Sequence, residues 1–170
     1  MSDQRRRTVE DTAVSLLNPE RLFDLLANPV ERQRWDLCPP YIMQEPVEAP
    51  PGLALAGARY RVRGTARGIA FTGNMVVTAA DPPRRYELRS ETTFARAYPT
   101  ATSVEEYRIE PDGAGSLVHY RMTLNRTPGT GTFLMRALSA LLEPLLTPGA
   151  VKRNFRGTLR YAEKEAGITG

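Results

Sequence analysis

The chain has one cysteine, one histidine and one tryptophan in 170 residues, and its only lysines are Lys152 and Lys164. A single cysteine, Cys38, cannot close a disulfide within the chain, so the fold must rest on its core. At this length one domain, residues 1–170, buries roughly two-thirds of the surface that the unfolded chain exposes, which suffices without a covalent or metal staple. Cys38 and His119 lie far apart and exclude the usual nitrogen and sulfur ligand sets, so no metal and no other cofactor is expected. A serine hydrolase would need His119 as its base and a nucleophile elbow, and Gly-x-Ser-x-Gly does not occur. Gly129-Thr130-Gly131-Thr132 lacks both the lysine of a phosphate loop and the third glycine of a dinucleotide fingerprint, and reads as a loop.

Long apolar runs are also missing. The most apolar stretch, Phe133 to Leu146, is interrupted by Arg136, Glu143 and Pro144, short of the roughly 18 to 20 unbroken residues of a membrane span. No stable membrane insertion is expected. The opening Met1-Ser2-Asp3-Gln4-Arg5-Arg6-Arg7 has no apolar segment of a secretory signal and reads as a disordered tail; together with the lone cysteine it points to the cytoplasm. The formal net charge of +4 would admit an acidic partner. Arginines are nevertheless scattered from Arg5 to Arg160 with acids between them, so no nucleic-acid partner is expected. The excess of arginine over lysine is a bias that a GC-rich genome produces.

What is present is a distinct order of elements. Thr8 to Leu17 alternates as a strand, with Thr12, Val14 and Leu16 on one face and Val9, Asp11 and Ala13 on the other. Asn18-Pro19-Glu20 then signals a helix start: an asparagine cap, proline where no amide donor is wanted, and an acid near the positive helix end. Asn28-Pro29 repeats the signal for a second short helix, ending by Cys38-Pro39-Pro40. From Tyr41 to Arg126 the period is two, in six segments: 41–47, 58–66, 69–80, 84–94, 101–110 and 117–125. Their short connections require an antiparallel meander. Clean alternation means one buried face, and only a C-terminal helix from about Phe133 to Ala166 has enough apolar surface to cover it. Pro144 and Pro148-Gly149 should kink or briefly break that helix.

These features resemble the START-like, or SRPBCC, superfamily with its helix-grip fold, and within it the polyketide cyclase/dehydrase and lipid-transport branch. The resemblance is carried by the strand leading into Asn18-Pro19-Glu20-Arg21-Leu22-Phe23-Asp24-Leu25-Leu26-Ala27-Asn28-Pro29, by Trp35, by the Asp81-Pro82-Pro83-Arg84 break, by the Glu110-Pro111-Asp112-Gly113 turn and by Leu159-Arg160-Tyr161-Ala162-Glu163. It implies an α+β fold in which a curved antiparallel sheet of about seven strands wraps a long C-terminal helix, with two short helices after the first strand. It also implies a cavity holding an apolar or amphipathic small molecule. It brings no catalytic motif that could be carried over residue by residue.

The inward parity of the strands assigns Tyr60, Phe71, Met75, Tyr86, Tyr107, Tyr120 and Met122 to the space beneath the helix, as cavity wall or as plain core. Tyrosines combine an apolar ring with a hydroxyl that requires a partner when buried, a role that a ligand oxygen can fill. Glu105 shares the parity of Tyr107 and Ile109 and is the one weak candidate for acid–base chemistry, a carboxyl whose pKa burial would raise; the alternative has it near the strand end, reaching water or an arginine. Trp35 either closes the cavity mouth or packs beside it. Arg59, Arg61 and Arg63 belong to the wet face, with Glu87 or Glu91 as partners. His119 is a surface residue. Three function classes follow: a carrier of a small hydrophobic molecule such as a lipid, isoprenoid or polyketide-like compound; a cyclase, dehydratase or aromatase using the same cavity; and a module that binds a protein partner.

Overall fold

The computed structural model describes residues 5–33, 42–66, 68–94, 101–126 and 147–168. In chain order these form β1 (Arg5–Ser15), α1 (Pro19–Ala27), α2 (Pro29–Gln33), β2 (Ile42–Glu48), β3 (Arg59–Ala66), β4 (Ile69–Asp81), β5 (Arg85–Phe94), β6 (Ala101–Asp112), β7 (Gly115–Arg126) and α3 (Pro148–Glu165). Strand β1 starts at Arg5, so three of the seven residues expected as a tail are paired in the sheet, Arg5 opposite Arg126. Trp35, Cys38, the 129–132 loop and residues 133–146 lie outside the described residues.

The three helices among the described residues start by one device, a capping side chain followed by proline. Asn18 Oδ1 accepts from the Arg21 amide at 2.8 Å, Asn28 Oδ1 from Val30 and Glu31, and Thr147 Oγ1 from Ala150 at 3.3 Å. Thr147 is extended (φ −67°, ψ 149°), and Pro148 begins the helix. At its far end Gly167 takes φ +74°, which lets its amide reach Lys164 O and the Ile168 amide reach Glu163 O. That 5→2 and 6→1 pair satisfies two end carbonyls.

The seven strands form one antiparallel sheet in the order β1-β7-β6-β5-β4-β3-β2. The six later strands are the expected meander, and β1 returns to pair with the last of them, Ser15 opposite Ser116. Register shifts between Pro46 and Glu48 and between Val77 and Ala79 mark bulges that bend β2 and β4. The outer face carries ion pairs. Arg61 and Arg63 meet Glu48 and Glu45 of adjacent β2 rather than Glu87 or Glu91 of β5, because β4 lies between β3 and β5. Glu87 is held instead by Arg85 at 2.8 Å and by Thr78. His119 is on this outer face, beside Thr12.

The inner face divides into two halves along the strands. At the end holding the β4–β5 and β6–β7 turns, α1 packs tightly: Leu22, Phe23, Leu25 and Leu26 are buried, as are Val77, Tyr86, Ile109 and Val118. The Phe23 ring meets Tyr86 edge-on at 5.9 Å. The 49–58 loop is tied to that end by the Ala54 amide on Ala27 O at 2.7 Å. Over the sheet, α3 buries Val151, Phe155, Thr158, Leu159 and Ala162, an i, i+4, i+8 stripe. Phe155 stacks on Tyr120 at 4.6 Å and lies 6.3 Å from Tyr107. Full burial of each such side chain stabilises by about 1.5–3 kcal/mol.

Polar contacts fix the helix to β1. Arg156 grips Asp11 with two bonds, Nε to Oδ2 at 2.8 Å and Nη2 to Oδ1 at 3.0 Å. Glu163 Oε1 accepts from Ser15 Oγ at 3.0 Å and from the Leu16 amide at 2.9 Å, which pins the corner where β1 leaves the sheet. At that corner Ser116 Oγ donates to Leu17 O, and the backbones approach so closely that a Cβ on Gly115 would stand 2.2 Å from Ser15 O. Gly115→Ala must separate the strands there, with an expected loss of about 1–3 kcal/mol or more in urea denaturation; unchanged stability would contradict this packing. Hydrogen bonds from Arg156 hold the Asp11 carboxyl below the usual carboxylate range, against the opposing effect of burial. A depressed folded value means the grip stabilises fully above the unfolded pKa, about 3.9, and is lost as pH falls through the folded value. The difference in Tm between the wild type and Asp11→Asn is therefore expected to be largest near neutrality and to close progressively below about pH 4.

Candidate functional site

Over the other half of the inner face the described residues enclose, between the sheet and α3, a cavity of about 210 Å³. The strands supply its walls at the end where β3 turns into β4. Ala66 ends β3, Phe71 and Met75 come from the start of β4, and Leu88, Ser90, Thr92 and Phe94 from the last part of β5. Ser103, Glu105 and Tyr107 of β6 and Tyr120 and Met122 of β7 continue the same face. Val151, Asn154, Phe155 and Thr158 of α3 form the roof, and Gln44 and Arg32 close the sides. The walls are apolar toward Phe71, Met75 and Phe94, whose rings meet at 5.8 Å for the phenylalanine pair, and polar toward β5 and β6.

The polar side is built around a buried guanidinium. Arg32 is at the end of α2, its side chain only 3% exposed, and its Nη2 lies 2.8 Å from Glu105 Oε2. The same carboxylate oxygen accepts from the Tyr107 hydroxyl at 3.0 Å, and Arg32 Nη2 is 3.3 Å from that hydroxyl. The guanidinium carbon stands 5.3 Å from the Tyr107 ring centre and 6.0 Å from that of Tyr86. Two residues along β6 from Glu105, Ser103 Oγ is 2.7 Å from Ser90 Oγ across the strand pair.

Of the residues that parity pointed inward, Phe71, Met75, Glu105, Tyr107, Tyr120 and Met122 line this cavity. Tyr60 and Tyr86 do not: both are buried in the packed core. Parity fixes the face of a residue but not its place along the strand, and Tyr86 falls in the half that α1 fills. Glu105 faces inward, 21% exposed. Its carboxyl group meets Arg32, which is the arginine partner that one of its two sequence readings gave it. Arg32 was not visible in advance, because a five-residue helix offers no periodicity by which one arginine among many could be assigned to the interior. Ser90, Ser103 and Thr92 share the parity of Leu88 and Glu105, a signal that was present and unused. Among the described residues no cluster of three or more His, Cys, Asp or Glu suits a metal ion, and no helix is long and apolar enough to cross a membrane.

Removing one partner of the pair strands a charge in a site only partly open to water. Arg32→Met is expected to cost about 2–4 kcal/mol, and Arg32→Met combined with Glu105→Leu to recover most of that loss. Urea denaturation of the two variants and the wild type decides it; a double variant no more stable than the single one would deny the pairing its role.

The geometry has parallels among solved structures. An uncharacterized protein from Rhizobium leguminosarum superposes with a TM-score of 0.63 at 12% identity, covering 96% of this chain and 99% of its own. Protein CV1439 from Chromobacterium violaceum gives 0.61 at 15% identity, with 91% and 93% covered, and Ara h 8.0201 gives 0.57 at 17%, with 94% and 99% covered. At such identities the likeness speaks for the fold alone, the helix-grip arrangement of a sheet around its last helix. Among curated proteins none matches the chain. Residues 6–167, from the arginine triplet to the glycine that ends α3, match the family described as polyketide cyclase / dehydrase and lipid transport, and the chain belongs to that family.

Proposed function

We propose that the protein binds one small amphipathic molecule, a lipid, isoprenoid or polyketide-like compound, in the cavity between the sheet and α3, and that it does so in the cytoplasm of a bacterium. The observation that carries this reading is the 210 Å³ space itself, walled by Phe71, Met75, Phe94 and Met122 on one side and by hydroxyls and a charge pair on the other. An engineered apolar cavity of about 150 Å³ already admits benzene. Apolar walls with a few placed polar groups are the usual texture of a ligand pocket. Burying about 200 Å² of apolar ligand surface at ~25 cal/mol per Å² supplies about 5 kcal/mol before association costs are subtracted. The polar side then orients what the apolar side holds.

The family description includes cyclases and dehydrases, and the Tyr107 hydroxyl bonded to Glu105 at the cavity wall would give such an enzyme a route for a proton. One experiment addresses both readings. Native mass spectrometry of protein purified from its own host is expected to show a stoichiometric small molecule, which is lost in Thr92→Trp, where an indole would occupy the space. A compound returned unchanged after incubation with fresh protein marks a carrier, and its conversion marks an enzyme. Protein that emerges empty and binds nothing from a host lipid extract would defeat the proposal.

A further inference from the structure

Counted over the described lining residues, the polar side of the cavity is also neutral in sum, and on the ligand-binding reading above this restricts the guest. Among the described lining residues Arg32 is the one cation and Glu105 the one anion, and they pair with each other at 2.8 Å. Arg32 is not placed to turn away: it is 3% exposed and lies between the Tyr86 and Tyr107 rings. A carboxylate entering the cavity would either draw Arg32 from Glu105 or sit beside Glu105 without a countercharge. An ammonium group would make the mirror-image demand on Glu105. In both cases one charge is left unmatched out of water, the costly outcome for buried ions. A hydroxyl or carbonyl makes no such demand. It meets Ser90, Ser103 and Thr92 on the adjoining wall, whose hydroxyls can each donate and accept. We infer that the cavity selects uncharged amphiphiles, with an apolar body and a hydroxyl or carbonyl head, over anions or cations of the same body.

The test uses three ligands that share a ten-carbon chain, 1-decanol, decanoate and decylammonium, competing with the neutral fluorophore 1-aminoanthracene near pH 8, where both charged heads are ionised. Decanol is expected to displace the probe from the wild-type protein at a concentration at least tenfold below either charged ligand. Glu105→Gln, checked for folding by circular dichroism, leaves Arg32 without its countercharge, and decanoate should then match or overtake decanol. Decanoate or decylammonium equal to decanol on the wild type overturns the inference while leaving the container intact, as does an unchanged order in a folded Glu105→Gln. If that variant does not fold, the wild-type ratios decide alone. A probe that fails to bind, or binds Thr92→Trp equally well, defeats the container reading and this inference with it.

Discussion

The interaction on which the site depends is the buried pair between Arg32 and Glu105. A guanidinium taken out of water requires a countercharge and hydrogen-bond acceptors, and β6 supplies both: the Glu105 carboxylate at 2.8 Å and, two residues on, the Tyr107 hydroxyl. Meeting that demand fixes α2 against the sheet, because Arg32 is buried on the short helix together with Pro29. It also marks a border. On one side of it α1 fills the inner face with Leu22, Phe23 and Leu26 packed under Tyr86; on the other lies the cavity between the sheet and α3. A charge pair is a poor way to gain stability, since apolar residues of similar volume often serve as well. Its presence at the edge of a cavity is more informative as a statement about what the cavity holds.

Among the described residues the contacts of α3 with the sheet are concentrated at a few points. Phe155 stacked on Tyr120 anchors its middle, Arg156 holds Asp11 at the edge strand, and Glu163 bonds the corner where β1 departs. The two polar contacts both fall on β1 or its end, which is an edge of the sheet and lies beside β7 rather than beside its sequence neighbour β2. The abutment of Gly115 on Ser15 leaves no slack at that corner.

The strands were legible in the sequence almost to the residue, because alternation over eight or more positions, punctuated by Gly68, Pro82-Pro83 and Asp112-Gly113, leaves little freedom in where a half-buried strand begins and ends. Helix starts were equally plain where asparagine precedes proline. Thr147-Pro148 carries the same grammar, with threonine as the cap. Facing was right for Phe71, Met75, Glu105, Tyr107, Tyr120 and Met122. It was insufficient for Tyr60 and Tyr86, which face inward into core rather than into open space.

By itself, then, the amino-acid order determined the elements, their inward faces and the need for a helix to cover them, since these follow from local backbone preference and from the two periods of apolar residues. The tertiary structure alone decided which half of the inner face is filled and which is left open, and that Arg32 meets Glu105 across 73 positions of sequence. Both are questions of how far α1 and α3 reach over the sheet, and no local pattern in the chain encodes that distance.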